Sequence, residues 1–206
     1  IEWGVRGGFL CDDTGMGKTL VALSLILANP PETNSVFAST ADIDALLRDK
    51  DTEVCLRATL FITTPVFVAE VCKELKKFAP GLKVAKFHGD GKAAATKCLH
   101  DVDVIVCSPK MTVHFESCPN HLQKDLLKLV RFRRIIVDES HLNNHGATNL
   151  YRAPFVWFLS GTPPIYPDLS NLEDHIQLLG RPKVLQELFE NKTVDAELAK
   201  GLQNVM

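Results

Sequence analysis

Two short runs of this 206-residue chain have residue types suited to phosphate chemistry. The first is Asp12-Asp13-Thr14-Gly15-Met16-Gly17-Lys18-Thr19. Gly15 and Gly17 let backbone N–H groups close around anionic oxygens, and an apolar helix beginning just after them adds its dipole. Lys18 is placed to reach β- and γ-phosphates, and the Thr19 hydroxyl to hold a magnesium ion. The ending Gly17-Lys18-Thr19 is that of a Walker A loop, although its first glycine falls on Asp12. Together Asp13, Thr14, Gly15, Met16, Gly17, Lys18 and Thr19 form the expected nucleotide cradle.

The second run is Ile135-Ile136-Val137-Asp138-Glu139-Ser140-His141. An apolar strand that carries two carboxylates to its end is a Walker B layout. Asp138 is expected to coordinate magnesium and Glu139 to polarise the attacking water. The competing reading, a solvated strand-to-loop junction with incidental acids, weakens because the two runs occur together.

The surrounding elements must bring these runs to one place. Gly8 to Cys11 reads as a buried strand feeding the loop, and Thr19 to Ala28 as a helix stopped by Asn29-Pro30-Pro31. Residues 30–57 read as a polar surface insert. Further strands are expected over Thr59 to Thr64, Lys83 to Phe87, Val102 to Cys107, Arg134 to Asp138 and Phe155 to Leu159. Helices are expected over Val66 to Phe78, His121 to Val130 and from Leu172 onward. This alternation predicts an α/β fold, a mostly parallel sheet with helices on both faces and its ligand at the carboxyl ends of the strands. Arg131, Arg133 and Arg134 read as surface charges, and Phe155, Trp157 and Phe158 as core.

Composition narrows the class. With 46% hydrophobic and 23% charged residues the chain has the makings of one packed core. The net charge of -2 means that any polyanion site is a local patch. No apolar run reaches the length of a membrane helix. Six cysteines without a CxxC pair favour a reducing compartment. Cys118 and His121 lack the further ligands of a structural zinc site.

The first run resembles motif I of the SNF2 branch of superfamily 2, DEMGLGKT, which also has Asp at the first-glycine position. Asp138-Glu139-Ser140-His141 resembles the DEAH box of motif II, with Ser for Ala, and Leu159-Ser160-Gly161-Thr162-Pro163 resembles motif III, LTGTP. Leu60 to Pro65 is similar to motif Ia, and Asp103 to Ser108 stands in the place of motif Ib. The order is the family's, and Gly7 to Leu10 with Lys83 to Gly89 leans toward its Rad5/Rad16-like group. Departures follow motif II, where Leu142-Asn143-Asn144-His145 replaces RIKN, and motif III, where Pro164-Ile165-Tyr166 replaces IQN.

The resemblance implies a RecA-like lobe over residues 1–180 and a helical tail over 181–206 leading to a second RecA-like lobe outside this sequence. It implies ATP and Mg2+ as ligands, with Lys18, Asp138 and Glu139 catalytic. His141 would be coupled to Ser160, Gly161 and Thr162. The activity implied is ATP-driven movement on double-stranded DNA against DNA-bound proteins, in the nucleus of a eukaryote, with little turnover from this lobe alone. Between Val71 and Lys97 stand seven lysines against two acids. Of these, Lys73, Lys76, Lys77 and Lys92 are candidate contacts to the phosphate backbone. The solvated face of an amphipathic helix is the competing account. The rival functions are a DEAH-type RNA helicase lobe and a nucleotide-binding scaffold without catalysis. An unrelated P-loop enzyme is disfavoured by the ordered Ia and III segments.

Overall fold

A computed structural model of the chain describes residues 7–30, 39, 41, 54–89, 98–109, 130–141 and 152–162. Six strands form one sheet: β1 (Gly7–Leu10), β2 (Val54–Ile62), β3 (Val84–Phe87), β4 (Val104–Cys107), β5 (Val130–Val137) and β6 (Val156–Leu159). Their order is β1-β6-β5-β2-β4-β3, and every pairing is parallel. The central strands are rich in β-branched and aromatic residues and are buried on both faces, as parallel sheets require.

Helix α1 (Lys18–Ala28) and helix α2 (Val68–Phe78) share one face. Ala22, Leu23 and Ile26 of α1 and Val68, Val71 and Leu75 of α2 pack on Phe61, Val106 and Ile136. The opposite face is equally buried, through Leu60, Ile62, Phe87, Ile105, Phe132 and Phe158. No described α-helix lies on that face, but the short 3-10 helix Leu99–Asp101 does, with Leu99 in the cluster. Of the helix expected over His121 to Val130, only Val130 is described, and it is the first residue of β5.

Several expectations need correcting. β2 begins at Val54, so the last residues of the expected insert are strand, with Val54 and Leu56 buried. β5 starts four residues ahead of Arg134, because Val130 and Phe132 alternate inward and pair with Val54 and Leu56. Arg134 is no surface charge: it is 4% exposed. Phe155, expected in the core, is 44% exposed, because it precedes β6 and its side chain escapes the sheet. Val66 is in a turn and exposed, and α2 begins only at Val68. Lys92, the tail beyond Thr162 and the Cys118–His121 pair lie outside the described residues. Cys11, Cys55, Cys72, Cys98 and Cys107 form no disulfide among the described residues.

Candidate functional site

Parallel pairing sets the strand ends side by side. Leu10 pairs with Leu159, Phe158 with Val137, and Val137 with Ile62. Backbone bonds fasten the residues that follow: Asp138 N–H donates to Ile62, Ser140 N–H to Leu159 and Ser160 N–H to Leu10. The loop after β1, the acidic turn after β5 and the turn after β6 are thereby fixed to one edge.

Beyond β1 the chain turns into α1 through Gly15 and Gly17, whose φ angles are 86° and 85°. Only glycine takes this left-handed conformation at low cost. Gly17 is the N-cap of α1 and offers no side-chain acceptor, so the first N–H groups of the helix are left to an external anion. Lys18 is 8% exposed, and its Nζ donates to the carbonyls of Asp12 at 2.8 Å and Asp13 at 3.1 Å. Gly161 lies directly over this arrangement. A Cβ placed on it would stand 3.1 Å from Thr14 Oγ1 and 3.8 Å from Lys18 Nζ. Met16, by contrast, projects into solvent and contributes only backbone.

Asp138 is 8% exposed and accepts a hydrogen bond from Thr63 Oγ1 at 3.2 Å. Burial, reinforced by Glu139, pushes its carboxyl up to about 6, against the opposing pull of the Thr63 bond, the Glu139 backbone N–H and Lys18. Glu139 has φ 48°, a left-handed conformation unusual for a residue with a side chain. His141 Nδ1 is 2.7 Å from Ser160 Oγ and 3.4 Å from Glu139 Oε2. The Ser160 hydroxyl donates to the Thr162 carbonyl and accepts from the Thr162 N–H at 3.0 Å. With its one proton used, it accepts from His141, which places the imidazole hydrogen on Nδ1.

A cleft of about 350 Å³ lies over these groups. Thr14, Gly15, Gly17, Lys18 and Thr19 line one side, Asp138 and Glu139 another, and Phe67, Glu70, Val71 and Glu74 a third. The two runs, some 120 residues apart in the chain, therefore meet. Sequence reading missed Thr63 and the α2 wall. Thr63 was within reach, since it follows the strand beside β5 in register. Glu70 and Glu74 are one helical turn apart, but nothing in the sequence says which way that face points.

The donor set suits a magnesium triphosphate. Among the described residues no group of three or more His, Cys, Asp or Glu could hold a metal unaided. Magnesium at nucleotide sites needs only one or two protein ligands, since phosphates and water supply the rest, and Thr19 and Asp138 meet that number. Lys73, Lys76 and Lys77 sit on the exposed face of α2, away from its buried Val68, Val71 and Leu75. Lys83 is paired with Asp101 at 2.7 Å, which reduces the local basic surplus.

The family model described as SNF2-related domain matches residues 2–197. The chain is 27% identical over 181 residues to transcription termination factor 2 of Drosophila melanogaster, covering 77% of this chain and 17% of that protein. It is 27% identical over 193 residues to the DNA repair protein RAD5B of Arabidopsis thaliana, covering 84% and 14%. It thus spans a fifth or less of the length of these relatives. The solved structure of the Sulfolobus solfataricus SWI2/SNF2 ATPase core in complex with dsDNA superposes with a TM-score of 0.59 at 23% identity, covering 86% of this chain and 32% of that one. At that identity the likeness speaks for the fold alone.

Proposed function

Because the chain belongs to the SNF2-related domain family, we propose that it is the ATP-binding lobe of a motor that hydrolyses ATP and moves on double-stranded DNA. The observation that carries this reading is the shared cleft, with Lys18 on one wall and Asp138 and Glu139 on another. Residues 1–180 would be the lobe, 181–206 the tail toward a second RecA-like lobe, and the nucleus the site of action. The relatives named for transcription termination and DNA repair support a nuclear, DNA-directed role.

Each side chain has a physical task in this reading. The glycine turn and the first N–H groups of α1 bind the phosphates. The Lys18 ammonium exchanges its bonds to Asp12 and Asp13 for phosphate oxygens, so it is held in place before ligand arrives. Thr19 and Asp138 would hold magnesium, which would supply positive charge to the phosphates. Glu139 orients the water that attacks the γ-phosphorus and accepts its proton while ADP leaves. His141 joins the acidic turn to Ser160 and through it to Thr162, so that a change at the phosphate reaches the turn after β6.

The test is ATP turnover by the full-length protein with and without duplex DNA. Lys18→Ala should abolish nucleotide binding. Glu139→Gln should keep binding and lower turnover by roughly 10²-fold or more. Turnover unchanged in Glu139→Gln would favour a scaffold without catalysis. Stimulation by RNA rather than by duplex DNA would favour an RNA helicase.

A further inference from the structure

At the opposite end of the sheet lies a second cavity, of about 190 Å³, beneath the last turn of α1 and beside the start of β4. Among the described residues that line it are three arginines, Arg57 on β2 and Arg133 and Arg134 on β5, and one acid, Asp103. That acid is already committed. One of its oxygens pairs with Arg57, and the other accepts the backbone N–H of Lys83 at 2.8 Å.

The remaining cations are poorly matched. Arg134 is 4% exposed, and among the described residues its guanidinium meets only neutral oxygens at long range, Thr59 Oγ1 at 3.5 Å and the Asn29 carbonyl at 3.3 Å. Arg133 reaches the Pro30 carbonyl at 2.8 Å. Among the described residues, the Nε–H groups of Arg57 and Arg133 are buried without any acceptor. Desolvation, with Arg133 beside it, holds Arg134 below the usual arginine range. A buried guanidinium lacking an anion is costly, and a buried N–H without a partner adds to that cost.

We propose that this cavity is a binding site for a phosphoryl group, free or esterified to a small molecule. Among the described lining residues, three guanidinium groups against one carboxylate leave an excess of two positive charges, and a phosphate group carries about -1.5 to -2 at neutral pH. The planar guanidinium forks suit tetrahedral oxyanions, and the space holds one such group with a few waters at about 30 Å³ each. The site is distinct from the nucleotide cleft. Arg134 precedes Asp138 by four residues along β5, which is about 13 Å at strand rise. Arg134 is also too deeply buried to touch the backbone of a duplex.

The experiment is titration of the full-length Lys18→Ala protein with inorganic phosphate and with glycerol phosphate, by calorimetry and thermal melting, against chloride at equal ionic strength. The Lys18 change removes the P-loop as a competing phosphate site. Saturable binding and a raised melting temperature are expected. Arg57→Gln and Arg133→Gln, at the two less buried arginines, should each weaken binding about tenfold or more. Tighter binding of glycerol phosphate than of inorganic phosphate would assign an esterified ligand, and equal binding a free phosphate. The proposal fails if neither probe binds saturably, or if either arginine variant, shown to be folded, binds phosphate as the parent does.

Discussion

Asp138 shares its cleft with Glu139 and is nearly closed off from solvent, and both facts raise its affinity for a proton. A carboxyl raised to about 6 in the fold, from an ordinary value near 3.8, binds more protons when native than when unfolded between those two pH values. Stability of the metal-free protein should therefore fall as pH rises through that window. Asp138→Asn removes the charge. In EDTA at pH 7.5 it should be more stable than wild type by up to about 2–3 kcal/mol, with the difference vanishing below about pH 4. Urea unfolding at several pH values checks this, and parallel pH profiles for the two proteins would refute it. A second prediction concerns Ser140, which is fully buried and whose hydroxyl has no partner among the described residues. The resemblance places Ala here. Ser140→Ala should leave the acidic turn in place through its N–H bond to Leu159 and raise stability by about 1 kcal/mol in chemical denaturation.

At the scale of elements, the phosphate loop depends on an edge strand of four residues. Among the described strands β1 pairs only with β6, and its first residue, Gly7, has φ 141° with the Val156 carbonyl oxygen 1.5 Å from where a Cβ would be. Gly7→Ala should break this pairing, cost roughly 2–4 kcal/mol and weaken nucleotide binding through a displaced loop. Gly8→Ala is the control. Its Cβ would meet only a Trp157 ring atom at 3.6 Å, an ordinary contact, so its effect on the melting temperature should be small. Equal damage from both changes would show that strand propensity, and not the close approach at Gly7, sets the cost. Helix α2 borders the cleft through Glu70 and Glu74, while Lys73, Lys76 and Lys77 are exposed and do not line it, so in the proposed motor nucleotide and any outer ligand would meet the same element.

For the whole molecule, the sheet separates two charged ends. The carboxyl ends of the strands hold the acids and Lys18, and the other end holds the arginine cavity. In the proposed motor, DNA binding adds a third surface on α2. Changing Lys73, Lys76 and Lys77 together to Ala in the full-length protein should lower duplex affinity and flatten its salt dependence, by up to about 0.9 in log–log slope for each phosphate no longer neutralised. Turnover without DNA should stay within about twofold, since none of the three lines the cleft. Fluorescence anisotropy across a salt series reads the first effect. An unchanged slope would assign these lysines to solvent.

The local geometry was legible in the sequence alone. Gly15, Gly17, Lys18 and Thr19 between an apolar strand and an apolar helix, and Asp138 and Glu139 after Ile135-Ile136-Val137, are patterns of near neighbours, and near neighbours fix turn type, helix start and strand period. The parallel α/β class followed from the same periodicities. Only the tertiary structure decided which distant residues meet. The strand order sets Thr63 beside Asp138 and Gly161 over Lys18, and it turns Glu70 and Glu74 into the cleft. It also buries Arg134, which its basic neighbours made look like surface, because burial depends on what packs above a strand and not on the charges beside it in the chain.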